Sequence, residues 1–198
     1  MNGKRRISAV ILAGGQGRRM GSVDKGLVAL QGRPMVAWVL ERLRPQADEV
    51  LINANQNLEQ YREFGVPVFS DAIGGFAGPL AGLHAGLAHA AHPLVVTAPC
   101  DSPFLPDDLV ARLADALEAA DADLAVARTF EQSHPVFCLC RRAVLPHLEA
   151  FLSSGGRKID RWYETLKVAP VQFDDQEAAF SNINTREELG CFEQGPSS

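Results

Sequence analysis

Apolar runs of strand length recur along this chain, and four of them end at a residue type that binds ligands. Ile7–Leu12 is nearly continuous in apolar residues and runs into Gly14. Val50–Ile52 ends at Asn53, Val66–Phe69 at Asp71, and Leu94–Ala98 in Pro99-Cys100-Asp101. Runs this apolar suit strands of a parallel sheet covered on both faces. The stretches between them read as helices. Pro34 opens one in which Val36, Val39, Leu40 and Leu43 keep the helical period, and Pro45 closes it. A short polar helix is expected over 57–63, a second is marked by Leu80, Leu83 and Leu87, and a third covers 106–119. Alternating strands and helices predict an α/β domain with a mostly parallel sheet. Ligands of such sheets bind beyond the carboxyl ends of the strands. Gly14, Asn53, Asp71 and Asp101 are therefore expected at one edge.

The remainder continues in the same style. Strands are expected at 123–128, 135–140 and 168–173, helices at 143–153 and 157–165, and Thr185 with Glu188 forms a capping box for a last short helix. A chain of 198 residues fits one domain and can bury roughly 70% of its unfolded surface. The net charge of −5 argues against a general nucleic-acid binder. It hides an asymmetry, because the first 44 residues hold nine Lys/Arg and two acids while the other 154 carry −12. No apolar run reaches the ~18–20 residues that span a bilayer, and the short N-terminal one lacks a convincing cleavage site, so it reads as a strand. Cys100, Cys138, Cys140 and Cys191 form no CxxC. Buried free thiols in a reducing cytoplasm are the expectation.

The stretch from Leu12 to Lys25 concentrates chemistry. Gly14, Gly15, Gly17 and Gly21 let backbone N–H groups approach a phosphate chain, while Arg18, Arg19 and Lys25 supply charge. It is not a Walker A loop, since Ser22 stands where that pattern needs Lys. Nor is it the dinucleotide fingerprint, since Met20 replaces the third glycine. Asp101, between Pro99 and Pro103, is a natural Mg²⁺ ligand beside a phosphate site; it could equally cap the helix near 106. Asn53 and Asp71 can hydrogen-bond a base or ribose, or serve as turn residues. His134 can be structural or catalytic, and the five histidines make no metal cluster. Asn182 and Asn184 flank Ile183, so in an extended segment both amides face one side. Arg157, Lys158 and Arg161 form either a solvated helix face or a second anion site.

Taken together these residues carry a resemblance. Leu12-Ala13-Gly14-Gly15, Arg19-Met20-Gly21 and Asp24-Lys25 resemble the signature of nucleotidyltransferases with a GT-A-like, Rossmann-related fold. Val23–Leu27, Asn53-Ala54-Asn55, Gly78–Gly82, Pro99–Pro103, His134-Pro135 and Asn182–Thr185 follow in the order of the molybdenum cofactor guanylyltransferase family, over about residues 7–190. The resemblance implies a three-layer domain with a mixed, mostly parallel sheet, nucleotide-binding over about 7–101 and acceptor-binding over about 123–190. It implies GMP transfer from GTP to the terminal phosphate of molybdopterin. Leu12, Ala13, Gly14, Gly15, Lys25, Asn53, Asp71 and Asp101 would form the GTP site, with Asp101 holding Mg²⁺ and Arg19, Lys25 and Asp101 acting in catalysis. Asn182, Asn184, Arg157 and Lys158 would face the pterin. A cytoplasmic monomer is expected, with no nucleic acid or membrane and with transient contact to cofactor-delivery or molybdoenzyme-maturation proteins. The nearest alternatives are a cytidylyltransferase for the same pterin and a sugar-phosphate nucleotidyltransferase, because base choice rests on few loop contacts. A non-catalytic nucleotide-binding adaptor is disfavoured by the presence of Lys25 and Asp101.

Overall fold

The computed structural model describes residues 5–14, 24–73 and 78–183. Its centre is a seven-stranded sheet. In chain order the strands are β1 (Ile7–Leu12), β4 (Glu49–Asn53), β5 (Val68–Phe69), β6 (Leu94–Pro99), β7 (Leu124–Thr129), β8 (Gln132–Arg141) and β9 (Val168–Gln172). The small hairpin of β2 (Ala29–Leu30) and β3 (Arg33–Pro34) stands apart from it. Across the sheet the order is β5-β4-β1-β6-β8-β7-β9. Every pairing is parallel except those of β8, which is antiparallel to both β6 and β7.

Side-chain alternation builds two cores. Ala9 and Ile11, Val50 and Ile52, Val96 and Ala98, and Phe137 and Leu139 point to one face. There they meet α1 (Met35–Leu43), α2 (Leu58–Arg62) and α4 (Leu109–Ala119). Val10, Leu51, Val95, Cys138 and Cys140 point to the other, against α3 (Pro79–His89), α5 (Leu145–Ser153) and α6 (Ile159–Tyr163). Three layers result, as expected. Cys100, Cys138 and Cys140 are free and buried, and burial pushes their thiols up from the ordinary value.

Strand order positions the ligand edge. The chain leaves β1 to build β4 and β5 on one side, then returns to place β6 on the other. The crevice between β1 and β6 is thus a topological switch point. Register aligns the ends: Leu12 is level with Asn53 and Pro99, and Asn53 with Phe69.

Three features depart from the sequence expectations. The β2–β3 hairpin turns through Gln31 and Gly32, both at positive φ. β8 starts at Gln132, three residues before the expected strand, because it forms a hairpin with β7. Helix α4, expected from 106, begins at Leu109, with Asp108 at its cap position. The capping box of Thr185 and Glu188 lies outside the described residues.

Candidate active site

The four expected strand-end positions converge. Asn53 is buried, and its Nδ2 donates to Asp71 Oδ1 at 2.9 Å. Asn55 Nδ2 donates to the other Asp71 oxygen at 2.8 Å, and the Asp71 backbone N–H donates to Asn55 Oδ1 at 2.9 Å. Both carboxylate oxygens of Asp71 are therefore held by neighbouring amides. The backbone after β1 runs along this cluster, with the Ala13 N–H donating to the Asn53 carbonyl at 2.8 Å. A Cβ on Gly14 would lie 2.8 Å from Asn55 Nδ2 and 3.2 Å from Asn53 Oδ1. Glycine is required there by close approach. Gly82 of α3 closes the opposite side, where a Cβ would lie 2.6 Å from Asn53 Oδ1.

The second half of the edge holds a charged pair. Asp24 precedes a 3-10 turn, Lys25–Leu27. Lys25 Nζ lies 3.1 Å from Asp101 Oδ2, with both side chains mostly shielded from solvent. Asp101 does not cap α4, since Asp108 occupies that position. Its carboxylate faces Lys25 instead. Among the described residues no group of three His, Cys, Asp or Glu could hold a metal. A lone carboxylate is nevertheless the donor set that suits Mg²⁺, which takes one or two carboxylates and completes its shell with phosphate oxygens and water. Asp101, the carboxylate beside Lys25 at the end of β6, fits that chemistry.

The expected acceptor side is tied to the same turn. The Ser102 hydroxyl donates to Asn182 Oδ1 at 2.6 Å, and the Ile183 N–H donates to the Asp101 carbonyl at 3.0 Å. Asn182 is thus drawn to within one residue of Asp101. Arg157 turns its guanidinium back onto the carbonyls of Leu152 and Gly156, at 2.8 and 2.6 Å. Arg161 pairs with Glu164, and Lys158 occupies the cap position of α6. Among the described residues, none of the hydrogen bonds and ion pairs of these three reaches the row of strand-end residues. Gly15, Arg18, Arg19 and Asn184 lie outside the described residues.

His134 is engaged away from this row. Its Nε2 lies 2.7 Å from Thr129 Oγ1, and its ring stacks on Phe180 at 4.7 Å. Burial lowers its pKa from the ordinary histidine value. Residues that the strand-end pattern passed over include Asn55, whose two-residue spacing from Asn53 was the available signal. Tyr61 is another. Its hydroxyl bonds Asp24 across 37 residues, and nothing in the sequence marks that contact.

The chain is similar to known nucleotidyltransferases. The family model described as MobA-like NTP transferase domain matches residues 9–168. A molybdenum cofactor guanylyltransferase of Cupriavidus necator is 55% identical over 192 residues, covering 94% of this chain and 96% of that protein. One from Shewanella amazonensis is 52% identical over 184 residues, covering 93% and 94%. Among solved structures, the molybdopterin-guanine dinucleotide biosynthesis protein A of Archaeoglobus fulgidus superposes with a TM-score of 0.76 at 26% identity, covering 94% of this chain and 97% of that one. The 4-diphosphocytidyl-2C-methyl-D-erythritol synthase of Anaerococcus prevotii gives a TM-score of 0.73 at 16% identity, covering 96% and 97%, and so shares the fold.

Proposed function

The chain belongs to the MobA-like NTP transferase family, and we propose that within it this protein transfers GMP from GTP to the terminal phosphate of molybdenum-molybdopterin, releasing pyrophosphate. The observation that carries this reading is one edge with two chemistries. Asn53, Asn55 and Asp71 offer a hydrogen-bonding end, and Lys25 beside Asp101 offers a charge-handling end.

The chemistry asks for such an edge. The attacking phosphate oxygen is already an anion near neutral pH, so no general base is needed. The obstacle is that two anions must meet while pyrophosphate leaves. Positioning and charge neutralisation then carry most of the catalysis. The backbone of Leu12, Ala13 and Gly14 passes close enough to Asn53 and Asn55 to flank a nucleoside. The fixed carboxylate of Asp71 can accept the adjacent donors of a guanine edge. Lys25 meets the phosphates, and Arg19 is assigned to the same task by its place in the signature. Asp101 would hold Mg²⁺, which when bound neutralises phosphate oxygens. Asn182 is assigned to the acceptor, with Asn184, Arg157 and Lys158 as further candidates on that side. No helix among the described residues is long and apolar enough to cross a membrane. The proposed setting is the cytoplasm, with the protein acting as a monomer and handing its product on through transient contacts.

The test is pyrophosphate release with each of GTP, CTP, ATP and UTP, with and without molybdopterin, over a Mg²⁺ titration. Release that needs GTP, pterin and Mg²⁺ together is expected. Release with CTP in place of GTP would move the protein to the cytidylyl branch, and full turnover in excess chelator would remove the metal from Asp101.

A further inference from the structure

Helix α2 lies beside the strand-end row and contributes none of its residues to it, yet it grips the residue next to Lys25. The Tyr61 hydroxyl donates to Asp24 Oδ1 at 2.5 Å, and Asn57 Nδ2 donates to Asp24 Oδ2 at 3.0 Å. A carboxylate at the start of a helical turn ordinarily accepts from that turn's own N–H groups. Asp24 makes no such bond. Both its oxygens are turned toward α2. Tyr61 is fully buried, and its backbone N–H bonds the Asn57 carbonyl at 3.2 Å. Gly26, on the other side of Lys25, is equally confined. A Cβ there would overlap the Tyr61 hydroxyl and approach Cys100 Sγ at 3.3 Å. The turn is threaded between α2 and the end of β6, with Lys25 between its two anchored neighbours. From there the ammonium sits 3.1 Å from Asp101.

We propose that Tyr61 and Asn57 are positioning residues for the transfer: through Asp24 they hold the Lys25 ammonium at Asp101, so that the cation is in place before the triphosphate arrives. The proposal rests on the reading of Lys25 as a phosphate-binding residue. A lysine stem is long and flexible, and its ordering costs entropy that a pre-set backbone reduces. Burial, Cys100 and Asp24 all raise the Tyr61 pKa, so the hydroxyl remains a donor across the working range.

Tyr61→Phe deletes the donor and keeps the ring. GTP dissociation constants and turnover are measured for the wild type, Tyr61→Phe, Lys25→Ala and the double variant, alongside thermal unfolding. Tyr61→Phe is expected to weaken GTP binding about tenfold, the scale of a lost hydrogen bond to a charged group, and to add nothing in the Lys25→Ala background. Equal weakening in both backgrounds, or none in either, overturns the proposal. Lys25→Ala with wild-type affinity and turnover would instead overturn the reading of Lys25 itself. A second variant keeps the test independent of folding losses. Asn57→Ala removes the other donor at an exposed position and leaves Tyr61 in place. It is expected to weaken GTP binding several-fold when Lys25 is present and not at all in the Lys25→Ala background, and equal weakening in both backgrounds, or none in either, overturns the proposal.

Discussion

Two glycines one turn apart on α3 give a sharp test of how the site is packed. Gly82 and Gly86 both face the sheet, and both lie inside a helix where alanine should be favoured by about 0.5–1 kcal/mol. Their neighbours differ. A Cβ on Gly86 would lie 3.0–3.4 Å from carbons of the Val10 side chain, so that side chain must give by a few tenths of an ångström. A Cβ on Gly82 would lie 2.6 Å from Asn53 Oδ1 and 2.9 Å from Leu12 Cδ2. Asn53 is only 1% exposed and is bonded to Asp71, so it can move only by giving that bond up. Losing a hydrogen bond to a charged partner costs about 1.5–3 kcal/mol, and overpacking a core costs about 1–3 kcal/mol. These costs outweigh the helix gain at position 82 and roughly balance it at position 86. Gly82→Ala is expected to lower stability by about 1–3 kcal/mol and to weaken GTP binding about tenfold. Gly86→Ala should stay within about 1 kcal/mol of wild type and bind GTP normally. Urea unfolding and GTP titration of both variants measure this. If Gly82→Ala proves as stable and as tight-binding as wild type, the packing argument is refuted.

Other expectations follow from single contacts. Asn55→Ala leaves Asp71 with one side-chain partner in place of two, so GTP binding should weaken about tenfold while melting temperature stays near wild type. Asp101→Asn should abolish Mg²⁺-dependent turnover with little loss of secondary structure, read by pyrophosphate release and circular dichroism. Burial holds the His134 pKa below its ordinary value. On acidification the unfolded chain therefore takes up the proton first, and stability is lost as pH falls from the ordinary value toward the lowered one. The urea midpoint should fall as the pH is lowered past the ordinary histidine value, and His134→Phe should reduce that fall.

Much of the frame was readable because burial leaves a local trace. Ile7–Leu12 had to be apolar on both faces to run through the middle of a covered sheet, and Ala9, Val10 and Ile11 are fully buried. The β2–β3 hairpin was not readable. Its strands are two residues long, too short for any period, and its turn puts Gln31 at φ 52 where Asn or Gly would have signalled it. The antiparallel β8 was equally silent in direction, because alternation looks the same whichever way a strand runs. Asn53, Asp71 and Asp101 stood out by ending apolar runs. Asn57 and Tyr61 did not, since a short polar helix carries no pattern that points to a carboxylate 33 or 37 residues away.

Read alone, the sequence determined which segments are buried strands, where each stops, and which ligand-type residue follows it. These are local matters, set by side-chain polarity and by the breaks that Gly and Pro impose. The tertiary structure decided which strand ends become neighbours. Placing β1 between β4 and β6 puts Gly14 against Asn53 and Asn55 on one side and opens the switch-point crevice on the other, where Lys25 meets Asp101. Proximity across 76 residues is a property of strand order and register. It is settled by how whole layers pack, and no stretch of chain encodes it by itself.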